Sequence, residues 1–241
     1  MKTDLTLSQH ISKRYANELI AIQDLVADMG QLVVEQVALG VDAIVSLDNK
    51  KAVLLIENDK KVNALEIKID ATCTNVLATR QPAASDLRLV ITVLKVITDL
   101  ERIGDEAEKL GRNTLKIINS ESESRQFIEL KHLGEQVQNN LKNAIKAYAD
   151  LDVDAALKVI QQDESINQEF DNISRLLITK MMEDPREIKN ALRITWCARA
   201  LERIGDHAKN ISEYIVYLVK GKDVRHTSLK QIKDTINFNK E

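Results

Sequence analysis

The apolar residues of this 241-residue chain recur every three or four positions over long stretches, which is the spacing of one face of an α-helix. Ile11, Tyr15 and Leu19 begin the first such stripe, and Gly40 supplies a stop signal after it. Six long helices are predicted in this way, at residues 8–39, 42–79, 84–118, 127–148, 154–182 and 184–220. Helices of roughly 30 residues are rods about 45 Å long.

The chain contains one hexapeptide twice, Leu-Glu-Arg-Ile-Gly-Asp at residues 100–105 and again at 201–206. An internal duplication explains such a repeat better than chance, and each half then holds three helices. Long rods joined by short turns pack best at shallow angles. The predicted fold is therefore all-α, with two tandem three-helix bundles of six antiparallel helices that are related by a pseudo-twofold axis or by translation.

The predicted domain limits follow from this duplication. Residues 1–119 form the first bundle and residues 120–221 the second, and the polar segment 119–124 is interpreted as the link between them. Residues 222–241 are polar, so they are expected to form a C-terminal tail that frays.

Composition and charge narrow the class of protein. Hydrophobic residues make up 44 % of the chain, and the formal net charge is −3 with acids and bases interspersed. No basic surface of the kind that binds nucleic acid is predicted. The sequence shows neither the apolar core of a signal peptide nor an apolar run near the ~20 residues of a membrane span. Cys73 and Cys197 fall inside helical patterns, as buried thiols of a reducing compartment do, and a cytoplasmic protein is expected.

Polar residues interrupt the apolar stripes of the second and the fifth predicted helix at the same place. Asp59 and Asn63 interrupt the second helix, and Asp163 and Asn167, each 104 residues later, interrupt the fifth. The members of each pair are four residues apart, so they project from one face of their helix. The polar interruption is therefore duplicated together with the helices.

The third and the sixth helix carry the hexapeptide, whose two acids are also four residues apart. These acids are Glu101 and Asp105 in the first half, and Glu202 and Asp206 in the second. Several carboxylates are costly to bury together unless a cation or a proton neutralises them. The four acidic and amide pairs are therefore candidate metal ligands. Their oxygen donors suit hard cations such as Mg²⁺, Ca²⁺, Mn²⁺ or oxidised iron, and the expected ions are iron, zinc, manganese or magnesium.

Other interpretations of these acids stay open. The carboxylates could instead pair with Arg102, Arg199, Arg203 or nearby lysines at the edge of the stripe. The chain could also be a carboxylate-bridged metal-storage or redox protein, or a structural coiled-coil module in which the acids are defects. Trp196 and Phe170 are interpreted as packing residues. No nucleotide-binding loop, Ser-His-Asp order or Cys-x-x-Cys pair is found, so no catalytic or cofactor-binding residue is predicted.

Three further segments are distinctive beside the two copies of the hexapeptide: RQPAASDLR at 80–88, LITKMMED at 177–184 and VKGKDVRH at 219–226. Together these segments resemble the PhoU family of phosphate-transport accessory proteins. The resemblance implies two three-helix bundles and multinuclear metal binding at E(D)xxxD motifs. These motifs correspond to the hexapeptide acids, whereas Asn63 and Asn167 stand where the partner motifs of the family have a second acid.

The resemblance also implies a function. Members of the family are adaptors rather than enzymes, and they report phosphate status between the ATPase subunit of the phosphate ABC transporter and a phosphate-sensing histidine kinase. Such a protein represses the phosphate-starvation response and restrains high-affinity uptake when phosphate is plentiful. A homodimer is expected, in the cytoplasm and peripheral at the inner membrane face through these partners.

Overall fold

The computed structural model describes residues 13–119 and 128–237. Within these ranges six long helices, α1 to α6, are followed by a short helix α7. Their bounds are Lys13–Ser46, Asn49–Arg80, Ala84–Ile118, Ile128–Asp150, Val153–Glu183, Ile188–Lys220 and Leu229–Asn237, and a 3₁₀ turn at Pro185–Glu187 precedes α6. The predicted all-α fold of six long helices is confirmed. Most of the predicted link at 119–124 lies outside the described residues.

The α1–α2 turn and the α4–α5 turn have the same local structure. Leu47 and Leu151 both have a φ angle of 50°, in the left-handed region, and each is followed by an aspartate. The side chains of Asp48 and Asp152 accept hydrogen bonds from backbone N–H groups in the first turns of α2 and α5. Helix beginnings leave these N–H groups without a partner inside the helix, so the two caps stabilise equivalent helices in the two halves.

Helix α1 continues past Gly40, so the predicted end at residue 39 is wrong. Gly40 is buried, and a Cβ atom at this position would lie 3.1 Å from a methyl group of Leu110 and 3.2 Å from one of Leu55. The glycine therefore permits α2 and α3 to approach α1 closely and does not end the helix.

Reciprocal contacts between α1 and α4 show how the halves are related. A Cβ atom on Gly30 would lie 3.1 Å from Ile145, and a Cβ atom on Gly134 would lie 2.6 Å from Val41. Gly134 and Ile145 are the residues 104 positions after Gly30 and Val41. Gly30 of the first half thus faces Ile145 of the second, and their counterparts, Gly134 and Val41, face each other in the same way. Such a reciprocal pattern is that of an isologous interface. Of the two relations predicted from the sequence, this pattern supports the pseudo-twofold axis.

The two halves share one continuous hydrophobic core, and α3 packs along α6. Polar contacts also cross the α3–α6 interface. His207 Nδ1 lies 2.6 Å from Asp99 Oδ1, and Arg203 Nη1 lies 3.0 Å from Glu106 Oε1. These pairs hold the hexapeptide region of α6 against α3, so Arg203 reaches across the interface and does not pair with the acids of its own hexapeptide.

The end of the described chain differs from the prediction. Leu229–Asn237 forms helix α7 and does not fray, because Ile232 and Ile236 are buried in a small second cluster with Val216 and Val224. Two apolar residues spaced by four are enough to give this otherwise polar segment one buried helix face. The predicted domain limits themselves stay predictions.

The burial of four side chains can be compared with the predicted core. Both cysteines are buried free thiols, as predicted, and burial raises the pKa of each to about 12. Trp196 was predicted to be a packing residue, which is wrong, because the residue is 52 % exposed. Phe170 packs partly buried against the core, and the guanidinium of Arg199 lies over its ring.

Among the described residues, α1 is the helix whose length and composition would suit a membrane span. The core helix of a soluble protein can pass the same test, and 56 % of the 18-residue apolar window in α1 is buried inside the protein. Contacts with α2, α3 and α4 provide this apolar environment.

Candidate metal sites

The first candidate site lies where α1, α2 and α3 meet, and its most buried polar groups are an amide and a carboxylate. Gln36 of α1 is 2 % exposed and Asp59 of α2 is 9 % exposed. Among the described residues, both polar atoms of the Gln36 amide and Oδ1 of Asp59 lack a hydrogen-bond partner. They converge on Gly104 of α3, since a Cβ atom there would lie 3.4 Å from Asp59 Oδ1 and 3.6 Å from Gln36 Oε1. Buried polar atoms of this kind call for a bound ion or water molecule.

The other predicted residues of the first half surround this point. Asn63 Nδ2 donates a hydrogen bond of 3.1 Å to Asp59 Oδ2, and Asn63 Oδ1 is buried with no partner in the described part of the chain. Glu101 and Asp105 lie one turn apart on α3, and the exposed guanidinium of Arg102 is 3.6 Å from each carboxylate. At that distance the contacts are ion pairs without a hydrogen bond. The alternative pairing with Arg102 is therefore loose in this half.

Burial and the charges of neighbouring carboxylates raise the pKa values of three acids around the first site. For Asp59 the largest cause is burial, followed by the charges of Glu108 and Asp105. For Glu101 burial again acts most strongly, followed by the charge of Asp105. Burial also raises the pKa of Glu66, and the charge of Asp105 adds to that increase. A cation bound among these groups would relieve the repulsion.

The second candidate site repeats this arrangement on α4, α5 and α6, but it contains its own cation. Asp163 is 2 % exposed, and its Oδ2 accepts hydrogen bonds from Lys209 Nζ at 3.0 Å and from Asn167 Nδ2 at 3.4 Å. Asn140 of α4 takes the place of Gln36, and its Nδ2 donates to a backbone carbonyl of α5 at 3.4 Å. An ammonium group thus neutralises the buried carboxylate directly.

The two hexapeptide acids of the second half also lie close to a cation. Arg199 Nη1 donates a hydrogen bond of 2.7 Å to Glu202 Oε1, and the Arg199 guanidinium carbon lies 5.5 Å from the centre of the Phe170 ring. Burial, more than any other cause, raises the pKa values of Glu202 and Asp206, while the charge of Arg199 lowers both. In this half Glu202 therefore pairs with an arginine and Asp163 with a lysine.

Gln36 and Asn140 were not predicted from the sequence. They are 104 residues apart, the same offset as that between Asp59 and Asp163. The duplicated polar interruption therefore extends to a third helix in each half. A single amide in an apolar stripe is a weak signal by itself, but a position-by-position comparison of the two halves identifies both residues.

Four of the eight predicted residues lie on two packed helices in each half, α2 with α3 and α5 with α6. Within α2 and α5 the amide of each pair donates to its aspartate. In residues 13–119 and 128–237, no three carboxylate, thiol or imidazole groups are arranged so that they could hold a metal ion. An ion in the first half would therefore also depend on amide oxygens, which hard cations accept as ligands. Metal binding by these residues stays a prediction.

The family model described as the PhoU domain matches this chain twice, over residues 26–114 and 130–215. The chain belongs to the PhoU family. The first match lies within α1–α3 and the second within α4–α6. The duplication inferred from the hexapeptide thus corresponds to two PhoU domains, and the resemblance noted in the sequence is confirmed.

Curated relatives match most of the chain. The phosphate-specific transport system accessory protein PhoU homolog of Pseudomonas putida is 45 % identical over 227 residues, which cover 94 % of this chain and 89 % of the relative. The phosphate-specific transport system accessory protein PhoU of Escherichia coli is 41 % identical over 222 residues, which cover 92 % of each chain. The similarity therefore extends through both halves.

Solved structures of family members have the same architecture. PhoU from Pseudomonas aeruginosa is 44 % identical, with a TM-score of 0.84 and coverage of 86 % of this chain and 100 % of the other. The phosphate transport system regulatory protein PhoU from Streptococcus pneumoniae is 30 % identical, with a TM-score of 0.81 and coverage of 87 % and 99 %. These structures agree with the predicted tandem helical bundle.

Proposed function

We propose that this protein is a non-enzymatic regulator of a phosphate transport system, which represses the phosphate-starvation response and restrains high-affinity uptake when phosphate is plentiful. The observation that carries the proposal is an identity of 41 % and 45 % to two proteins named as phosphate-specific transport system accessory proteins, over 92 % and 94 % of the chain. The Streptococcus pneumoniae structure is named as a regulatory protein of a phosphate transport system. Accessory and regulatory proteins act by binding other components, so an interaction surface is required.

The proposed mechanism is a physical link between the ATPase subunit of the phosphate ABC transporter and a phosphate-sensing histidine kinase. Exposed apolar side chains support it, because α6 carries Ile188, Leu192 and Trp196 at intervals of four, and Met182 is exposed at the end of α5. Side chains four residues apart lie on one helix face. Exposed apolar and aromatic residues of this kind mark surfaces that bind proteins. Homodimerisation, and a cytoplasmic location at the inner membrane face through these partners, belong to the same proposal.

A reporter strain tests the regulatory function. Cells that lack the gene should express a phosphate-starvation reporter such as alkaline phosphatase in high phosphate, and the intact chain supplied from a plasmid should repress it. If the reporter stays repressed in the deletion strain at high phosphate, the proposal is wrong.

Co-purification tests the mechanism with matched variants. The ATPase subunit and the kinase should co-purify with the intact chain to an extent that depends on phosphate. Leu192→Asp with Trp196→Asp should reduce capture, because the apolar face of α6 is lost. Ile67→Asp is the control, since Ile67 is an exposed isoleucine on α2. An equal loss of co-purified partner with the control variant would contradict the mechanism, and so would co-purification that does not change with phosphate concentration.

Metal binding is the second part of the proposal. In the first half, Asp59, Asn63, Glu101 and Asp105, joined by Gln36, would hold the ion, and buried unpartnered oxygen atoms among the described residues fit that role. Their carboxylate and amide oxygens favour iron, manganese or magnesium over zinc, which prefers thiolate and imidazole. Bound metal would neutralise the carboxylates and connect the helices. Elemental analysis of the purified chain measures the occupancy. Turnover of bound iron would instead favour the alternative of a metal-storage or redox protein.

A further inference from the structure

We infer that the two halves have diverged in how they neutralise the shared acidic arrangement: the first half binds a divalent cation, and the second half uses Lys209 and Arg199 in place of one. The inference rests on the metal binding proposed above and specifies which half provides the site. Both halves contain the hexapeptide, so the difference lies in the residues around it.

A position-by-position comparison shows where the charges differ. Apart from Asp99 and Glu106, which pair across the α3–α6 interface, three acids near the shared carboxylates are replaced in the second half, and one arginine is gained. The corresponding pairs are Glu66 and Phe170, Asp70 and Ser174, Glu108 and Lys209, and Thr98 and Arg199. One exchange runs the other way, from Arg112 to Glu213. Over these five pairs, the second half is more positive by three charges.

The two additional cations of the second half contact the acids directly. Lys209 Nζ lies 3.0 Å from Oδ2 of the buried Asp163, and Arg199 Nη1 lies 2.7 Å from Glu202 Oε1. The stacking of Arg199 on Phe170 holds the guanidinium in place. A metal ion that entered this half would have to displace both ion pairs, and the released cations would repel it.

The first half neutralises its buried carboxylate differently. In the described part of the chain, no lysine or arginine donates a hydrogen bond to Asp59. Glu108, the counterpart of Lys209, accepts a hydrogen bond of 2.6 Å from Arg112 and supplies no cation to Asp59. Both halves keep a buried carboxylate oxygen without a partner among the described residues, Asp59 Oδ1 or Asp163 Oδ1, so the difference between them is the ammonium group on Asp163 Oδ2. Repelling carboxylates around unpartnered carboxylate and amide oxygens form the donor set of a hard divalent cation. Because Gly104 has no side chain, the space between these oxygens is not filled.

Exchanging the cations between the halves tests the inference on the full-length chain after removal of metal, with Mn²⁺ as the probe. Thr98→Arg with Glu108→Lys gives the first half the two cations of the second. Arg199→Thr with Lys209→Glu removes them from the second half. The number of bound Mn²⁺ ions is measured from the electron paramagnetic resonance signal of free Mn²⁺, and the affinity by calorimetry. The first exchange should weaken binding by about tenfold or more, because the charge of the ligand set governs affinity. The second exchange should add binding in the second half.

Neutral substitutions show which half holds the ion and disturb the fold least. Asp59→Asn with Glu101→Gln should remove Mn²⁺ binding. The matched pair, Asp163→Asn with Glu202→Gln, should leave the stoichiometry of the intact chain unchanged. Thermal melts followed by circular dichroism check that each variant is folded. If an exchange variant does not fold, the neutral pairs alone decide between the halves.

Each outcome is decisive. Equal loss of Mn²⁺ from both neutral pairs, or loss from the second pair alone, would overturn the inference. An intact chain that binds no Mn²⁺ would also overturn it, together with the metal part of the proposed function. The starvation reporter tests the regulatory function independently of either result.

Discussion

The buried glutamate Glu213 provides a strong test of the electrostatics of the second half. Glu213 follows Lys209 by one turn of α6, and its pKa is raised from 4.5 to about 7. Burial is the largest cause, and the charges of Lys209 and Arg225 oppose it. Glutamine at this position keeps the shape of the side chain and removes its charge, so Glu213→Gln isolates the cost of the buried carboxylate.

The sign and the size of the effect follow from proton linkage. Between the unfolded pKa of 4.5 and the folded pKa of about 7, the folded state binds more protons, so the free energy of unfolding falls as pH rises through this window. At about 1.4 kcal/mol per pKa unit, the difference corresponds to about 3 kcal/mol at pH 8. Below the unfolded pKa the carboxyl is protonated in both states, and the cost disappears.

Urea unfolding at pH 5 and at pH 8 measures this cost. Glu213→Gln should raise the free energy of unfolding by about 2–3 kcal/mol at pH 8 and by less than about 1 kcal/mol at pH 5. Glu57→Gln, at an exposed position of α2, is the control and should change little at either pH. A variant that is less stable than the intact chain at pH 8 would refute the reasoning, because Glu213 would then be a stabilising partner of Lys209.

Three further predictions concern packing and charge. Gly134→Ala should destabilise the chain by about 1–2 kcal/mol in urea, because the added methyl group would lie 2.6 Å from Val41, and Val41→Ala should restore most of the loss. Lys209→Met should lower the free energy of unfolding by about 1–3 kcal/mol at pH 7, because Asp163 stays buried without its cation. Adding Asp163→Asn should recover stability, and no recovery would contradict this account. Ile232→Asp should detach α7, so limited proteolysis should cleave the C-terminal segment faster than in the intact chain.

The helices were predictable because their apolar periodicity is strong and continuous. The predicted limits of the third helix, 84–118, coincide with those of α3. The errors occur where tertiary contacts outweigh a local signal. Gly40 is normally a stop signal, but here it lies between Leu55 and Leu110 and allows close packing. In α7, Ile232 and Ile236 gain a buried partner surface that composition alone does not reveal.

The candidate sites were predictable in part. The acids of α2 and α3 come together with those of the same half, because residues four apart on packed helices share a face. Gln36 and Asn140 were missed because one amide in an apolar stripe has no periodic signal. Lys209 was missed because it stands outside the hexapeptide, at the position where the first half has Glu108.

The hexapeptide by itself does not distinguish a metal site from an internally neutralised one. What both halves share is a buried carboxylate on the preceding helix, Asp59 or Asp163, and such a group needs either a counter-charge or a proton. An ammonium group and a metal ion are two solutions to the same electrostatic requirement. The residue three positions after each repeat, Glu108 or Lys209, therefore carries information that the repeat lacks. If the cation exchange moves Mn²⁺ binding between the halves, the residues beside the hexapeptide, at positions 98 and 108 or 199 and 209, determine which half binds metal.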